Sequence, residues 1–459
     1  MARLDRDLPF PAQKEGNPMN LRVLRPILAL IVLSAPAAHA EERARPLDEA
    51  QIKGFRSPDA VAPGQAFTVR VRVKNKGRST WTRDLGYALA SEPKGNKTWG
   101  PARHLLPAGV SVAPNESHTF VLSLTAPQGL GSYPLRWRML HNKAGRFGDT
   151  TPARRVKVAY PFPGADWPSS TPEAQGMSSA KLNAIPTAGL GNVVVIRHGY
   201  RVWSQGDIHS ETWWASTARS YLTTVFGMLI QDRTLRGGKQ APERAVNRLP
   251  SPTARPYPDA VKLKHLLSYT ACSSPPGQSW GYSCKWFDTN KIGGDVARVD
   301  LATYLNMNLV PVIGGRWRAI IERTDGTLRV LGGPSAMARW GYLWLRQGRW
   351  GRQQVLPTWF VKRALSPMPR PDGLGFAHTD EGWQIHLNRS GRPWAGAPTD
   401  SFAAIGAAGR GIIFVSPSQD LVVVRSGHVP TNFADEAHDP THNKVMRAFV
   451  VPISKAVVR

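Results

Sequence analysis

The chain has 459 residues, 41% of them hydrophobic, which is enough for two domains with substantial cores. Lys and Arg total 59 against 32 Asp and Glu, a formal charge of +27, so anionic surroundings are expected: phospholipid, acidic envelope polymer or nucleic acid. The last is set aside because no nucleic-acid-binding motif accompanies the charge. Metal and nucleotide cofactors are likewise not indicated, since there is neither a His-Glu-x-x-His spacing nor a Gly-rich loop between a strand and a helix.

Arg22 and Arg25 precede an apolar stretch, Pro26 to Ala37, and Ala38-His39-Ala40 then offers small residues for cleavage ahead of Glu41-Glu42. This is the pattern of an export signal over residues 1–40, with Met19 an alternative start. The apolar stretch is short for a membrane span, so an N-terminal anchor is the lesser reading and no stable span is expected after signal removal. The mature protein is expected in the periplasm or outside the cell. There Cys272 and Cys284 either pair as a disulfide or remain free buried thiols.

Residues 50–160 read as β-structure. Phe67-Thr-Val-Arg-Val-Arg-Val-Lys alternates apolar with basic residues, Phe120-Val-Leu-Ser-Leu-Thr follows a Pro114-Asn115 turn, and Tyr133-Pro-Leu-Arg-Trp-Arg-Met alternates again. Short alternating strands between Pro, Gly and Asn turns predict a β-sandwich of about a hundred residues. The basic positions alternate with core positions and so lie on an outer face. That face is either simply solvated or docks on an anionic envelope surface, in which case salt weakens the contact. The words Val-Lys-Asn-Lys-Gly-Arg-Ser-Thr-Trp81, Thr-Trp99-Gly, Leu-Thr-Ala-Pro and Gly-Ser-Tyr-Pro-Leu-Arg-Trp137 resemble the immunoglobulin-like four-tryptophan module of autophagy receptors and its bacterial relatives. Trp81, Trp99 and Trp137 match three of the four tryptophans, and Val73 or a neighbour stands at the fourth. The resemblance implies an accessory binding or spacer module.

Residues 161–171 are rich in Pro and Ser and read as a linker, after which 172–459 form a second domain. Pro172 to Leu182 predicts a capped first helix. It contains a literal Ser178-x-x-Lys181, read here as a cap and a solvated lysine. Asn192 to Trp203 predicts a hairpin turning at His198-Gly199. Leu222, Val225, Phe226, Leu229 and Ile230 then recur at helical spacing and place one helix face in a core. Ser216 falls at the start of that helix and Arg219 one turn later. A hydroxyl there meets unpaired N–H groups and the positive end of the helix dipole, which suits a nucleophile whose product is an oxyanion; the plain alternative is an N-cap. Strands before and after a buried helix make this domain α+β.

Several words of this domain resemble β-lactamase-related serine hydrolases, the class C β-lactamase and penicillin-binding-protein group. They are the Ser216-x-x-Arg219 helix, Val261-Lys-Leu-Lys-His-Leu-Leu-Ser-Tyr-Thr, Pro-Gly-Gln-Ser-Trp-Gly-Tyr282-Ser-Cys284, the Gly-Gly-Pro-Ser-Ala-Met-Ala-Arg-Trp-Gly helix, and Ile405-Gly406-Ala-Ala408-Gly409 leading into Ile-Ile-Phe-Val-Ser-Pro. The resemblance implies a transpeptidase-like fold and an acyl-enzyme on Ser216, with Tyr282 as base and acid. Gly406, Ala408 and Gly409 would line the cleft, although Gly and Ala there also simply permit close packing.

Two positions depart from the pattern. Arg219 replaces the catalytic Lys, and Cys284 replaces the substrate-binding Asn. A guanidinium does not shed its proton in proteins, but beside Tyr282 it would favour the phenolate. Three readings stay open: a hydrolase of β-lactams, cell-wall peptides or small esters; a pseudoenzyme binding such a ligand; and an adhesion protein acting through its basic sandwich. None requires a metal or a cofactor.

Overall fold

The computed structural model describes residues 45–272, 276, 284–367, 380–406, 410–427 and 443–458. The export-signal region, Tyr282, Ala408, Gly409 and the histidines at 428, 438 and 442 lie outside them.

The N-terminal unit is a β-sandwich. One sheet pairs β1 (Ala50–Arg56), β3 (Ala66–Asn75) and β8 (Ser117–Thr125). A second orders β11 (Gly145–Thr150), β10 (Trp137–His141), β5 (Tyr87–Ser91) and β6 (Arg103–Leu105). A third joins β2 (Ala60–Val61), β12 (Arg154–Val158) and β9 (Gly131–Leu135), and β4 (Trp81–Thr82) pairs with β7 (Ser111–Val112). The period-2 reading holds on β3, where Val69, Val71 and Val73 are buried and Arg70 and Arg72 are exposed. Trp81, Trp99 and Trp137 share one core with Val73. Trp99 packs edge-on to Phe67 and Tyr133 and donates its Nε1–H to the Pro134 carbonyl at 2.8 Å.

The stretch expected as one strand from Tyr133 to Met139 is two. β9 pairs with β12 and β10 pairs with β5, so the chain changes sheets at Arg136. Leu135 and Trp137 are both buried on either side of exposed Arg136, and the alternation therefore runs unbroken through the crossing. Period 2 reports which side is buried, not which sheet does the burying.

Residues 161–171 do not hang free between the domains. The Tyr342 hydroxyl donates to the Pro161 carbonyl, Arg339 donates to the Gly164 and Ala165 carbonyls, and Trp167 is buried with its Nε1–H on the Ser335 carbonyl. The segment is docked along a helix of the second domain.

The second domain is built on an antiparallel sheet ordered β14 (Tyr200–Gln205), β13 (Asn192–Arg197), β23 (Leu421–Ser426), β22 (Gly411–Ser416), β21 (Phe402–Ile405) and β20 (His386–Leu387). Alternate residues serve two cores. Val194, Ile196, Ile413, Val415, Val422 and Val424 face one. Val193, Val195, Ile412, Phe414, Leu421 and Val423 face the other. A strand buried on both faces reads as a continuous apolar run, which is why these strands show no polar alternation. The first helix of the domain is interrupted: a 3-10 turn at Glu173–Gln175 ends at left-handed Gly176, and α1 (Ser179–Asn183) follows. Ser178 caps α1, accepting from the Lys181 N–H at 3.2 Å, so this Ser-x-x-Lys is structural.

Among the described residues the remaining α-helices of five residues or more are α2 (Ala218–Gln231), α3 (Leu263–Leu267), α4 (Trp286–Ala297), α5 (Leu301–Asn308), α6 (Pro334–Leu345), α7 (Thr358–Ala364) and α8 (Val451–Lys455). A small sheet of β15 (Thr212–Trp213), β17 (Leu328–Gly332) and β16 (Trp317–Ile321) lies beside α2, and β18 (Arg349–Trp350) pairs with β19 (Gln353–Gln354). α6 packs directly on the large sheet. A Cβ at Gly341 would lie 2.8 Å from Ile413 Cγ2 and Val422 Cγ1, so a glycine is what the close approach of helix and sheet requires. Among the described residues no helix is long and apolar enough to cross a membrane.

Candidate active site

Ser216 lies in a 3-10 turn, Ala215–Thr217, that runs into α2. Both sides of this turn are fixed. On one side Trp213 pairs with Leu331, the Trp214 N–H donates to Val330, and the buried Trp214 indole donates to the Gly332 carbonyl at 2.8 Å. On the other side stands the mouth of the β21–β22 hairpin. The Gly406 N–H donates to the Gly411 carbonyl at 2.7 Å, and that carbonyl also accepts the Thr217 hydroxyl at 3.2 Å. A Cβ at Gly406 would lie 2.6 Å from the Trp214 carbonyl and 3.3 Å from Ala215 Cβ. The turn is thus wedged between β17 and the hairpin, with Ser216 half-buried. Ala215 sits at φ +48°, a left-handed conformation costing roughly 1–3 kcal/mol that persists only where surroundings enforce it.

The helix behind the turn is buried nearly all round, not on one face. Its polar side is accommodated by hydrogen bonds. Ser220 donates to the Gln384 carbonyl at 2.7 Å and Thr223 to the Trp383 carbonyl at 3.0 Å. The Thr224 hydroxyl donates to the Ser220 carbonyl and accepts from the indoles of Trp340 and Trp344. Each buried hydroxyl has a partner, and a polar face can enter a core on those terms.

Arg219 projects, partly buried, between two aromatic rings. Its guanidinium lies 5.5 Å from the Tyr269 ring centroid and 5.1 Å from that of Trp286, and Nη1 donates to the Tyr269 hydroxyl at 3.4 Å. Contacts of this kind are worth about 0.5–2 kcal/mol each, more as water is excluded. Tyr269 is buried just after α3 at φ +58°, and Trp286 opens α4. The structure therefore holds Arg219 as a fixed positive charge.

Cys272 and Cys284 form a disulfide with their Cα atoms 5.9 Å apart. The bridge closes the segment that carries Tyr282. It also commits the Cys284 sulfur, so Cys284 offers no side-chain hydrogen bond of the kind an Asn amide would give a substrate. Of the residues singled out from sequence, the structure brings Ser216 and Gly406 together at the turn and places Arg219 on the same helix; Tyr282, Ala408 and Gly409 lie outside the described residues.

Sequence reasoning did not single out Tyr269, Trp286 or Gln384. Tyr269 lies inside one quoted word and Trp286 two residues beyond another, and neither carries a signal of its own. Gln384 is at φ +57° and 7% exposed, and among the described residues neither atom of its side-chain amide has a hydrogen-bond partner. Its carbonyl holds Ser220, which lies one helical turn from Ser216 on the same side. A strained backbone carrying an unpaired buried amide is unfavourable to folding and marks a candidate ligand-binding group.

The family model of the Ig-like domain from next to BRCA1 gene matches residues 56–154. The N-terminal unit is an immunoglobulin-like domain. A comparison with curated proteins finds no match to the chain. Among solved structures, the chain is similar to a β-lactamase from Mycobacterium bovis at 15% identity, covering 61% of this chain and 99% of that one with a TM-score of 0.45. It is similar to a penicillin-binding protein homologue from Caulobacter crescentus at 13% identity, covering 58% and 93%, TM-score 0.45. It is also similar to simvastatin synthase from Aspergillus terreus at 15% identity, covering 62% and 96%, TM-score 0.40. By its own sheets and helices the chain is an all-β immunoglobulin-like sandwich followed by an α+β domain.

Proposed function

We propose that the second domain is an exported serine hydrolase acting on amides or esters through an acyl-enzyme on Ser216. The observation that carries this reading is the Ser216 turn: a half-buried hydroxyl at the start of a buried helix, on a strained backbone clamped from both sides. In the proposed reaction the Ser216 Oγ attacks the substrate carbonyl carbon and its proton passes to the Tyr282 phenolate, which Arg219 favours by its charge. Backbone N–H groups at Ser216 and Gly409 receive the oxyanion. The C–N or C–O bond then breaks as Tyr282 returns the proton to the leaving group, and water releases the acyl group by the same steps in reverse order. β-Lactams, cell-wall peptides and small esters are the candidate substrates. The apolar N-terminal stretch with its Ala38-His39-Ala40 site and the Cys272–Cys284 bridge both support a periplasmic or secreted protein.

A specific observation favours the second reading, a binding protein without turnover. The guanidinium of Arg219 is held by two aromatic rings and cannot serve as a base, and Cys284 is consumed in a disulfide. Intact mass after incubation with a β-lactam and, separately, an activated ester separates the two. The hydrolase reading expects an adduct on wild type that is absent from Ser216→Ala. A folded wild type that takes no adduct from either reagent would refute it and leave the binding protein.

A further inference from the structure

The outer face of the β1–β3–β8 sheet carries a charge pattern that folding alone does not favour. Arg70, Arg72 and Lys74 point outward from β3, spaced about 7 Å apart by the strand repeat. Arg56 on β1 lies directly opposite Arg70, and exposed Lys53 stands at the β1 bulge nearby. Like charges directly opposite one another destabilise a sheet. No Asp or Glu occurs anywhere in the three strands, and none of these five cations enters an ion pair among the described residues. On the other flank of β3, Val121 lies opposite Arg70 and is 59% exposed. At one end of this face Thr68 and Ser123 line a cavity together with Ser170, Glu173 and Gln175, while Arg70 and Arg72 remain exposed.

We propose that this sheet face docks the protein on a bilayer of anionic phospholipid. The cations form a two-dimensional array on an open sheet, not a groove that would track a single polymer strand. The exposed Val121 beside Arg70 supplies an apolar side chain at the level of the headgroups, with the long Arg and Lys side chains around it reaching for phosphate. Arg56 opposite Arg70 is the pair that a polyanionic surface relieves. The proposal does not rest on the catalytic reading, since the face belongs to the immunoglobulin-like domain.

The test is co-sedimentation of the full chain with vesicles of phosphatidylcholine alone and of phosphatidylcholine mixed with phosphatidylglycerol. Two triple variants are compared with wild type. One removes the face (Arg70→Gln, Arg72→Gln, Lys74→Gln), and the other removes equal charge from exposed loop positions of the same domain (Lys94→Gln, Lys97→Gln, Lys143→Gln). The N-terminal residues contribute equally to all three proteins. Loss of each face cation is expected to weaken binding about five-fold, so the face triple loses on the order of a hundred-fold on the anionic vesicles while the loop triple stays within a few-fold of wild type. Added salt should weaken wild-type binding. Equal losses in both triples, or wild-type binding that does not prefer the anionic vesicles, would overturn the proposal. So would a face-triple defect confined to immobilised polyphosphate with vesicle binding unchanged, which would make the ligand a polymer. Circular dichroism of both triples confirms that any loss is not unfolding.

Discussion

Gly406→Ala tests whether the Ser216 turn is held by the hairpin beside it. The glycine is not at positive φ, so the substitution does not force a left-handed backbone; what it lacks is space. The new Cβ would lie 2.6 Å from the Trp214 carbonyl, 3.2 Å from Thr217 Oγ1 and 3.3 Å from Ala215 Cβ. None of these is the far end of a flexible side chain, so the turn and the hairpin mouth must separate by several tenths of an ångström. Overpacking of this kind costs about 1–3 kcal/mol. For a domain of this size each kcal/mol lowers Tm by roughly 2–4 °C. A reacting hydroxyl displaced by a fraction of an ångström should acylate roughly ten-fold more slowly, by comparison with the ~100-fold expected of a full ångström. The assay pairs thermal unfolding with the rate of adduct formation from an activated ester. Gly164→Ala, where a Cβ meets nothing within 4 Å, serves as the control and should change neither. Gly406→Ala with wild-type Tm and wild-type acylation would refute the wedge as the device that positions Ser216.

Gln384→Leu removes two unpaired buried polar atoms, so Tm should hold or rise while acylation slows; a fall of several degrees would show that the amide stabilises the fold. Burial holds the His198 imidazole down at about 4, with the Asp420 carboxylate only partly offsetting the desolvation, and Gln175, Arg197 and Arg346 also face it. Because the folded value lies below the ordinary 6.5, the unfolded chain takes the proton first. This contribution to stability is complete above about pH 6.5 and is lost as pH falls toward 4, up to about 3 kcal/mol. His198→Asn, which tolerates the φ of +52°, should flatten the acid limb of a Tm–pH curve, and an unchanged limb would assign the acid loss elsewhere. Cys272→Ala with Cys284→Ala opens a loop with a sequence separation of 12 and should cost about 3 kcal/mol, read as a lower midpoint in urea; an unchanged midpoint would mean the unfolded chain gains nothing from the cut.

Local pattern carried the reading as far as single elements. β3 and α2 were legible because Val69, Val71 and Val73, and Leu222, Val225, Phe226, Leu229 and Ile230, repeat at the periods of a strand and a helix. What pattern cannot register is a partner far away in sequence. The apolar spacing predicts one buried face of α2, yet carbonyls of Trp383 and Gln384 and the indoles of Trp340 and Trp344 also take Ser220, Thr223 and Thr224 into the core. The Pro-rich 161–171 stretch looked like a tether because its anchors, Arg339 and Tyr342, stand on α6. The site divides in the same way. Ser216 and Gly406 were visible through the words around them, whereas Gln384 stands out only by a left-handed backbone and an unpaired amide, neither of which leaves a mark in composition or spacing.

The two departures at the site are physically connected. Trp286 is two residues beyond Cys284, and its ring is one of the two that hold the Arg219 guanidinium. The disulfide fixes the start of α4, α4 presents Trp286, and Trp286 with Tyr269 confines Arg219. An ammonium in the same place would meet the same rings as a compact point charge, without the planar group that stacks on them. Arg219 and the bridged Cys284 therefore form one arrangement in which a permanent positive charge is built into the wall of the site one turn from Ser216. Such a charge cannot accept the serine proton. It can stabilise an anion beside it, whether a phenolate acting as base or a carboxylate on a bound ligand, and both readings of the site turn on which anion that is.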